Sequence, residues 1–399
     1  MMQRQLRNYS PGQSSALHVT APVMLSLVAF WAMLASDARA AEEISLVRDG
    51  RPHHVTGELL VEAQDGGVLL KAADGELWVI QPDEIKERRS NDKPFEPLDA
   101  EATARRLLDE FGGGFSIHQT AHYVICYNTS SAYAEWCGAL YERLYRGFFT
   151  YWSNQGVELR EPTWPLVALV FRDRESYAEY SRGELGDAVN SIIGYYNVRT
   201  NRVTMYDLTG VDELRQNTRR ISSAAHVNAI LSQPAAERTV ATIVHEATHQ
   251  LAYNSGLQTR YADNPFWVSE GLAVYFETPD LKSSKGWRNI GGVNRVNLIQ
   301  FHKYLRRRPD DSLAAMIVND QRFRDSKTAG DAYAEAWALN YYLLRTQPRQ
   351  YADYLAKLAA RGPLETVTPQ QRLDEFRSIF GQDLSRLDTE FLRFMQRVR

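Results

Sequence analysis

The segment HEATHQ, residues 245–250, has two histidines four positions apart and a glutamate directly after the first. Residues four apart on a helix share one face, and neutral imidazole is a good zinc ligand. His245 and His249 can therefore bind one ion, while Glu246 can take a proton from a water molecule beside it. Ordinary helices also contain this pattern, with one histidine in the core and the other contacting a neighbour, so the surrounding sequence must decide.

The surrounding sequence predicts a helix through this segment. One face of that helix carries the apolar residues Val240, Val244, Ala247 and Leu251. Their spacing of four, three and four residues is typical of an amphipathic helix. Asn254 and Gly256 follow and are typical of a helix end.

A second short helix, predicted within residues 264–277, supplies a candidate third ligand. Asn264 is a plausible N-cap and Pro265 suits the first turn. Glu270 lies among apolar residues, and Gly271 beside it would let this helix approach the first one closely. Because an unpaired buried carboxylate is costly, Glu270 needs a partner, and a zinc ion between the helices would be one.

These motifs resemble those of the gluzincin metallopeptidases. In that group H-E-x-x-H is followed some twenty residues later by W-x-x-E-G-L-A-x-Y-F, as in this chain. The resemblance is closest to a bacterial set of exported, peptidase-like proteins of unknown function with HEATHQ and W-x-x-E-G. It implies that His245, His249 and Glu270 bind Zn²⁺ and that Glu246 is the general base. Thermolysin-like members have an Asp where this chain has Val274, so support for the first histidine must come from elsewhere.

Three further residues are candidates for the site. Glu277 is the rival to Glu270 as third ligand, unless it is a solvated helix end. Tyr333 is the candidate oxyanion donor, because a tyrosine at a comparable position does this in the related aminopeptidases; core packing is the alternative. His226 is the other candidate donor, unless it is only a surface residue.

The order of predicted elements indicates an α+β fold. Residues 43–90 form three to five short strands with turns at glycines, and residues 91–118 form a linker and a helix. Residues 119–399 form a zincin-like domain with a small mixed sheet, an active-site helix and a helical C-terminal half. The Cys126 and Cys137 thiols either form a disulfide or stay free and buried on a strand and the next helix.

The predicted hairpin at residues 194–207 directly precedes the helical half. In the gluzincin group the substrate backbone usually lies along an edge strand at this place. Ile193, Gly194 and Tyr195 are therefore candidates for an edge that pairs with an extended peptide. The alternative is an ordinary hairpin that packs its aromatic rings.

Residues 1–40 have the layout of a secretory signal peptide. A basic start precedes the apolar run 21–35, and Ala38-Arg39-Ala40 gives a small-residue cleavage site. An uncleaved membrane anchor is the alternative. Removing three arginines and one aspartate with this segment takes the formal charge from −3 to near −5, which argues against a nucleic-acid partner.

The leading hypothesis is an exported zinc-dependent peptidase of the periplasm, cell envelope or exterior, acting on a peptide or protein. The first alternative is an inactive zincin-fold protein that binds peptides or cell-envelope material without cutting them. The second is docking by the β-strand module, with the helical half as a scaffold. The intact Glu246 argues against the inactive form, because loss of the base is the usual way to disarm such a site.

Overall fold

The computed structural model describes residues 40–210, 223–233, 236–278 and 290–399. These residues form two compact units. The first unit contains residues 40–73 and Val79–Glu96, and the second contains Asp74–Trp78 and Pro97–Arg399. The predicted signal peptide lies outside the described residues, apart from the backbone of Ala40, and stays a prediction.

The first unit is built on a five-stranded sheet. The strands of this sheet are β1 (Ala40–Arg48), β2 (Arg51–Glu62), β3 (Val68–Ala72), β4 (Leu77–Ile80) and β5 (Ile85–Pro94). Only the last two residues of β4 fall within the first unit. Their order is β4-β3-β2-β1-β5, within the range of strands predicted from the sequence. The polar residues 91–94, predicted as linker, instead continue β5 along β1.

The second unit contains a small mixed sheet. Its strands are β6 (Ser116–Gln119), β7 (Tyr123–Tyr127), β8 (Leu166–Phe171), β9 (Gly194–Asn197) and β10 (Arg202–Tyr206). The order is β6-β7-β8-β10-β9, with β8 parallel to both β7 and β10. β6 and β9 run antiparallel to their neighbours and form the two edges. All six residues of β8 are buried, as expected for a central parallel strand.

Helices make up most of the rest of the second unit. The first three are α1 (Ala100–Phe111), α2 (Ser131–Asn154) and α3 (Arg174–Leu185). The others are α4 (Ala224–Leu231), α5 (Glu237–Asn254), α6 (Phe266–Phe276), α7 (Arg295–Leu305), α8 (Ser312–Val318), α9 (Gln321–Arg324), α10 (Ala329–Thr346), α11 (Pro348–Ala359), α12 (Pro369–Phe380) and α13 (Leu384–Met395). The α+β prediction is confirmed. Within the described ranges, no helix is long and apolar enough to cross a bilayer.

α5 is the helix that carries HEATHQ, and it packs against β9 and β10. Its four predicted apolar positions are all fully buried. The helix ends at Asn254, and Gly256 follows in the left-handed region with φ of +78°. Both the face and the end of this helix therefore agree with the sequence prediction.

α6 is buried on every side, so its N-terminus needs a partner for its free N–H groups. Asn264 was the predicted cap, but Pro265 occupies the cap position and the Asn264 amide binds carbonyls of its own loop. The cap comes from Asp320, whose Oδ1 accepts the Phe266 N–H at 3.0 Å. Arg372 donates to both oxygens of Asp320 at 3.1 Å and holds this cap in place.

The two cysteines are free and buried, one on β7 and one on α2. Of the two alternatives, a disulfide or two buried free thiols, the structure therefore contains the free thiols. Burial raises the pKa of Cys126 to about 12 and raises the pKa of Cys137 well above its ordinary value. Both side chains stay protonated at neutral pH and pack as small apolar groups.

Candidate metal centre

Side chains from α5 and α6 converge to form a cluster of three possible metal ligands. The Nε2 atoms of His245 and His249 lie 3.1 Å apart on one face of α5. Glu270, in the middle of α6, places Oε2 3.2 Å from His245 Nε2 and Oε1 3.7 Å from His249 Nε2. This three-residue cluster could hold a metal ion, and its members are the residues predicted as ligands.

The spacing of the cluster fits a tetrahedral ion. Two ligand atoms that each lie about 2.1 Å from such an ion are about 3.4 Å apart. The observed separations of 3.1, 3.2 and 3.7 Å lie on both sides of that value. Electron-pair donors that face one another at this distance need a proton or a metal ion between them, and the spacing fits a metal ion.

The charges within the cluster are strongly coupled. Burial alone would raise the pKa of Glu270, but His249 and His245 hold it well below its ordinary value. Burial opposes a charge on His245, yet Glu270 and Glu277 raise its pKa well above the ordinary value. The site therefore favours an ionised Glu270 next to a protonated His245, and a metal ion that binds there would displace that proton.

Glu277 contacts the other side of His245 and is not part of the cluster. Its Oε1 lies 2.6 Å from His245 Nδ1, and its Oε2 accepts a hydrogen bond from Asn294 Nδ2 at 3.3 Å. Seven residues separate it from Glu270, about 10 Å along a helix, so the two carboxylates reach opposite nitrogens of one ring. The structure therefore supports neither prediction for Glu277, since it is neither a cluster ligand nor a solvated helix end.

Glu246 lies beside the cluster and is held by the edge strand of the sheet. Its Oε2 accepts the backbone N–H of Tyr196, on β9, at 2.8 Å. Burial raises the pKa of Glu246, although His245, His249 and this N–H all act in the opposite direction. A carboxylate in such a place is fixed in orientation and binds a proton more readily than an exposed one.

The direction of the Tyr196 N–H identifies the outward-facing residues of β9. Successive residues of an antiparallel strand alternate between pairing with the neighbour and pointing away from it. The backbone N–H of Tyr196 points towards Glu246, so the backbone groups of Gly194, two residues earlier, also point away from β10. The backbone groups of Tyr195 instead point towards its partner Thr204 on β10. Of the candidates for a substrate-facing edge, Gly194 therefore has the required orientation and Tyr195 does not. Ile193 precedes the strand.

Tyr333, on α10, lies next to the cluster. Its hydroxyl interacts with the Glu270 carboxylate, and its ring packs edge-on against Phe323 with centroids 5.5 Å apart. Burial, followed by the charges of Glu270 and Glu246, raises the pKa of Tyr333 well above its ordinary value. The hydroxyl therefore remains a proton donor at neutral pH. His226, the other candidate donor, lies in the first turn of α4, where Ser223 caps its backbone N–H.

A second polar row on α5 fixes the helix to the sheet, and the sequence prediction missed it. Glu246, Gln250 and Asn254 follow at intervals of four residues. The Gln250 amide donates to Val167 O at 3.0 Å and to Asn201 O at 2.9 Å. Asn254 and Asn201 exchange two amide hydrogen bonds of 2.7 and 2.8 Å. Polar residues at this interval in a buried helix were the signal that could have revealed the row.

Gly271 permits a close helix approach, but not the one predicted. A Cβ atom at Gly271 would lie 2.6 Å from Ala336 O and would also collide with the Asn340 amide, both on α10. Asn340 donates from that position to Trp267 O at 2.8 Å and so joins α10 to α6. The glycine therefore admits α10, which carries Tyr333, rather than the histidine-bearing α5.

Residues 239–365 match a family described as proteins of unknown function, DUF1570. The matched range includes the three-residue cluster, Glu246 and Tyr333. No curated protein matches the chain. The family match therefore covers all of these candidate site residues and assigns no activity to them.

Proposed function

We propose that this protein is an exported zinc-dependent peptidase whose metal ligands are His245, His249 and Glu270. The observation that carries the proposal is the spacing of these ligand atoms, which fits a tetrahedral ion, next to a further carboxylate, Glu246. Two imidazoles and one carboxylate are a ligand set of catalytic zinc sites that keep an open position. Zinc, when bound, would act as a Lewis acid towards water and a peptide carbonyl.

The residues around the cluster have separate roles in the proposed hydrolysis. Glu246 accepts a proton as the water oxygen bonds to the carbonyl carbon, and passes it to the amine as the C–N bond breaks. The Tyr196 N–H keeps the Glu246 carboxylate in one orientation. The Tyr333 hydroxyl donates a hydrogen bond to the carbonyl oxygen as negative charge develops there. A base whose pKa is raised by burial is better matched to neutral pH than an exposed carboxylate.

The edge of β9 supports a peptide as the substrate class. One outward-facing backbone group of this buried strand, the Tyr196 N–H, lies next to Glu246 and contacts it. An extended peptide that pairs with this edge would bring its backbone alongside the base and the cluster. Main-chain hydrogen bonds of this kind bind peptides of many sequences, so this edge favours a peptide backbone without defining a cleavage preference.

The proposal is tested by elemental analysis of the purified mature protein together with digestion of an unbiased peptide library. We expect one zinc per chain in the wild type and in Glu246→Gln, and none at stoichiometric level in His249→Ala. The wild type should cut peptides, whereas Glu246→Gln should not, because glutamine cannot accept the proton. Equal cleavage by Glu246→Gln would refute the mechanism. Zinc without any cleavage would favour the inactive binding protein.

The export part of the proposal is independent of the chemistry. It is supported by the basic start, the apolar run and the small residues before Ala41. N-terminal sequencing of the native protein should give a chain that begins at Ala41. A native chain that keeps residues 1–40 and stays in the cytoplasm would contradict it.

A further inference from the structure

We infer that Glu277 is a positioning residue that fixes the ring of His245 and so controls the affinity of the cluster for its metal. The inference rests on the proposed function, because it concerns the same ion. Glu277 is then neither a metal ligand nor in contact with the reacting groups, and it acts through the ring of His245.

The contact between Glu277 and His245 determines which ring nitrogen can bind a metal. A carboxylate can only accept, so the 2.6 Å contact with Oε1 requires that His245 Nδ1 carries the hydrogen. In the neutral ring Nε2 then has the free electron pair. That nitrogen is the one that faces Glu270 at 3.2 Å and His249 at 3.1 Å. Glu277 therefore selects the tautomer and the ring orientation that the cluster needs.

Glu277 is itself held by a residue from another helix. The Asn294 amide donates to its second oxygen, Oε2, at 3.3 Å. Asn294 is also the N-cap of α7, where its Oδ1 accepts the Asn297 N–H at 3.1 Å. The end of α6 and the start of α7 thus meet at one carboxylate. This chain of contacts fixes the Glu277 side chain before any metal binds.

The sequence around Glu270 explains why this support comes from the end of α6. Val274, four residues after Glu270, is apolar and 2% exposed, so it cannot accept the His245 N–H. Glu277 lies three residues further on, at the C-cap of the helix, and reaches the same ring from there. A supporting carboxylate of this kind typically contributes a factor of about 10–100 in metal affinity.

The test measures zinc affinity by competition with a chelator, without any substrate. Glu277→Ala should weaken zinc binding about 10–100-fold. Glu277→Gln should recover most of that loss, because its amide oxygen still accepts from Nδ1. Glu270→Gln is the comparison for a true ligand, and it should weaken binding more than either change at Glu277. An unchanged affinity in Glu277→Ala would overturn the inference.

Cobalt substitution separates a positioning residue from a ligand. The visible spectrum of the Co²⁺ form reports the atoms bound to the metal, so it should persist in Glu277→Gln and change in Glu270→Gln. If Glu277→Gln changes the spectrum as Glu270→Gln does, then Glu277 is a ligand and the inference is wrong. Thermal unfolding of the metal-free variants shows whether a loss of affinity reflects a loss of folding.

The same measurements distinguish this inference from the proposed function. If the wild type binds zinc but cuts no peptide, the proposed activity fails while the affinity series still tests Glu277. If the wild type binds no metal, both fail. Asn294→Ser keeps a capping oxygen on α7 but cannot reach Glu277, so it should weaken zinc binding less than Glu277→Ala does. A larger loss of zinc affinity in Asn294→Ser than in Glu277→Ala would contradict the inference that Asn294 acts on the metal site through Glu277.

Discussion

At the scale of single residues, Tyr333 combines packing and chemistry in one side chain. Its ring packs against Phe323, whereas its hydroxyl faces Glu270. Tyr333→Phe keeps the ring and removes only the hydroxyl. If that hydroxyl stabilises the oxyanion, kcat should fall by a factor of about 10²–10³. Steady-state kinetics on a peptide found in the library digest measures the change.

Metal content and thermal stability are the controls for Tyr333→Phe. Both should remain close to the wild type, because the ring still fills its place and no ligand is altered. A variant that keeps its kcat would show that Tyr333 only packs in the core. A variant that loses its zinc would show instead that the hydroxyl supports the cluster through Glu270.

The members of the three-residue cluster could be predicted from the sequence, but their supporting contacts could not. His245 and His249 follow from helical spacing, and Glu270 follows from the cost of burying an unpaired carboxylate. The contact from Tyr196 to Glu246 joins residues 50 positions apart, and only the packing of α5 on the sheet creates it. The sequence offered Glu277 only as a rival ligand or a solvated helix end, and its contact with His245 could not be predicted because α6 ends at Phe276.

At the scale of helices, Gly271 determines how closely α6 and α10 approach. A Cβ atom there would collide with Ala336 and Asn340. Gly271→Ala should therefore lower the free energy of unfolding by about 1–3 kcal/mol, as overpacking of a core does. Chemical denaturation of the metal-free protein measures this without any contribution from bound zinc.

Gly330 provides a matched control for that substitution, because it lies in the first turn of α10 and a Cβ atom there would have open space. Gly330→Ala should be neutral or raise stability by up to about 1 kcal/mol, since alanine favours a helix over glycine. Equal changes in the free energy of unfolding for the two substitutions would mean that α6 and α10 have room for a methyl group at Gly271.

Local sequence predicted which segments form helices better than it predicted what they contact. The buried face and the end of α5 follow from apolar spacing and from Asn254 and Gly256. The cap of α6 is Asp320, 54 residues away from Phe266, whereas the local sequence predicts Asn264. Partners that are distant in sequence are set by the packing of the whole unit.

At the scale of the molecule, the described residues form two units, and the three-residue cluster belongs to the second. The mixed sheet and helical half of that unit were predictable from the order of strand-like and helix-like segments. The length of β5 was not, because its polar residues become a strand only by pairing with β1. A metal bound to the cluster would join α5 to α6, so its effect on stability should be confined to the second unit.

Metal removal tests that expectation. An ion that binds only the folded state adds about 2.7 kcal/mol at a free concentration 100 times its Kd. Calorimetry with saturating zinc and then with a chelator should therefore show a lower Tm for the second unit after chelation. Any separate transition of the first unit should not move, and His249→Ala should unfold at the same temperature under both conditions. A wild-type Tm that does not depend on zinc would contradict metal binding by the folded cluster.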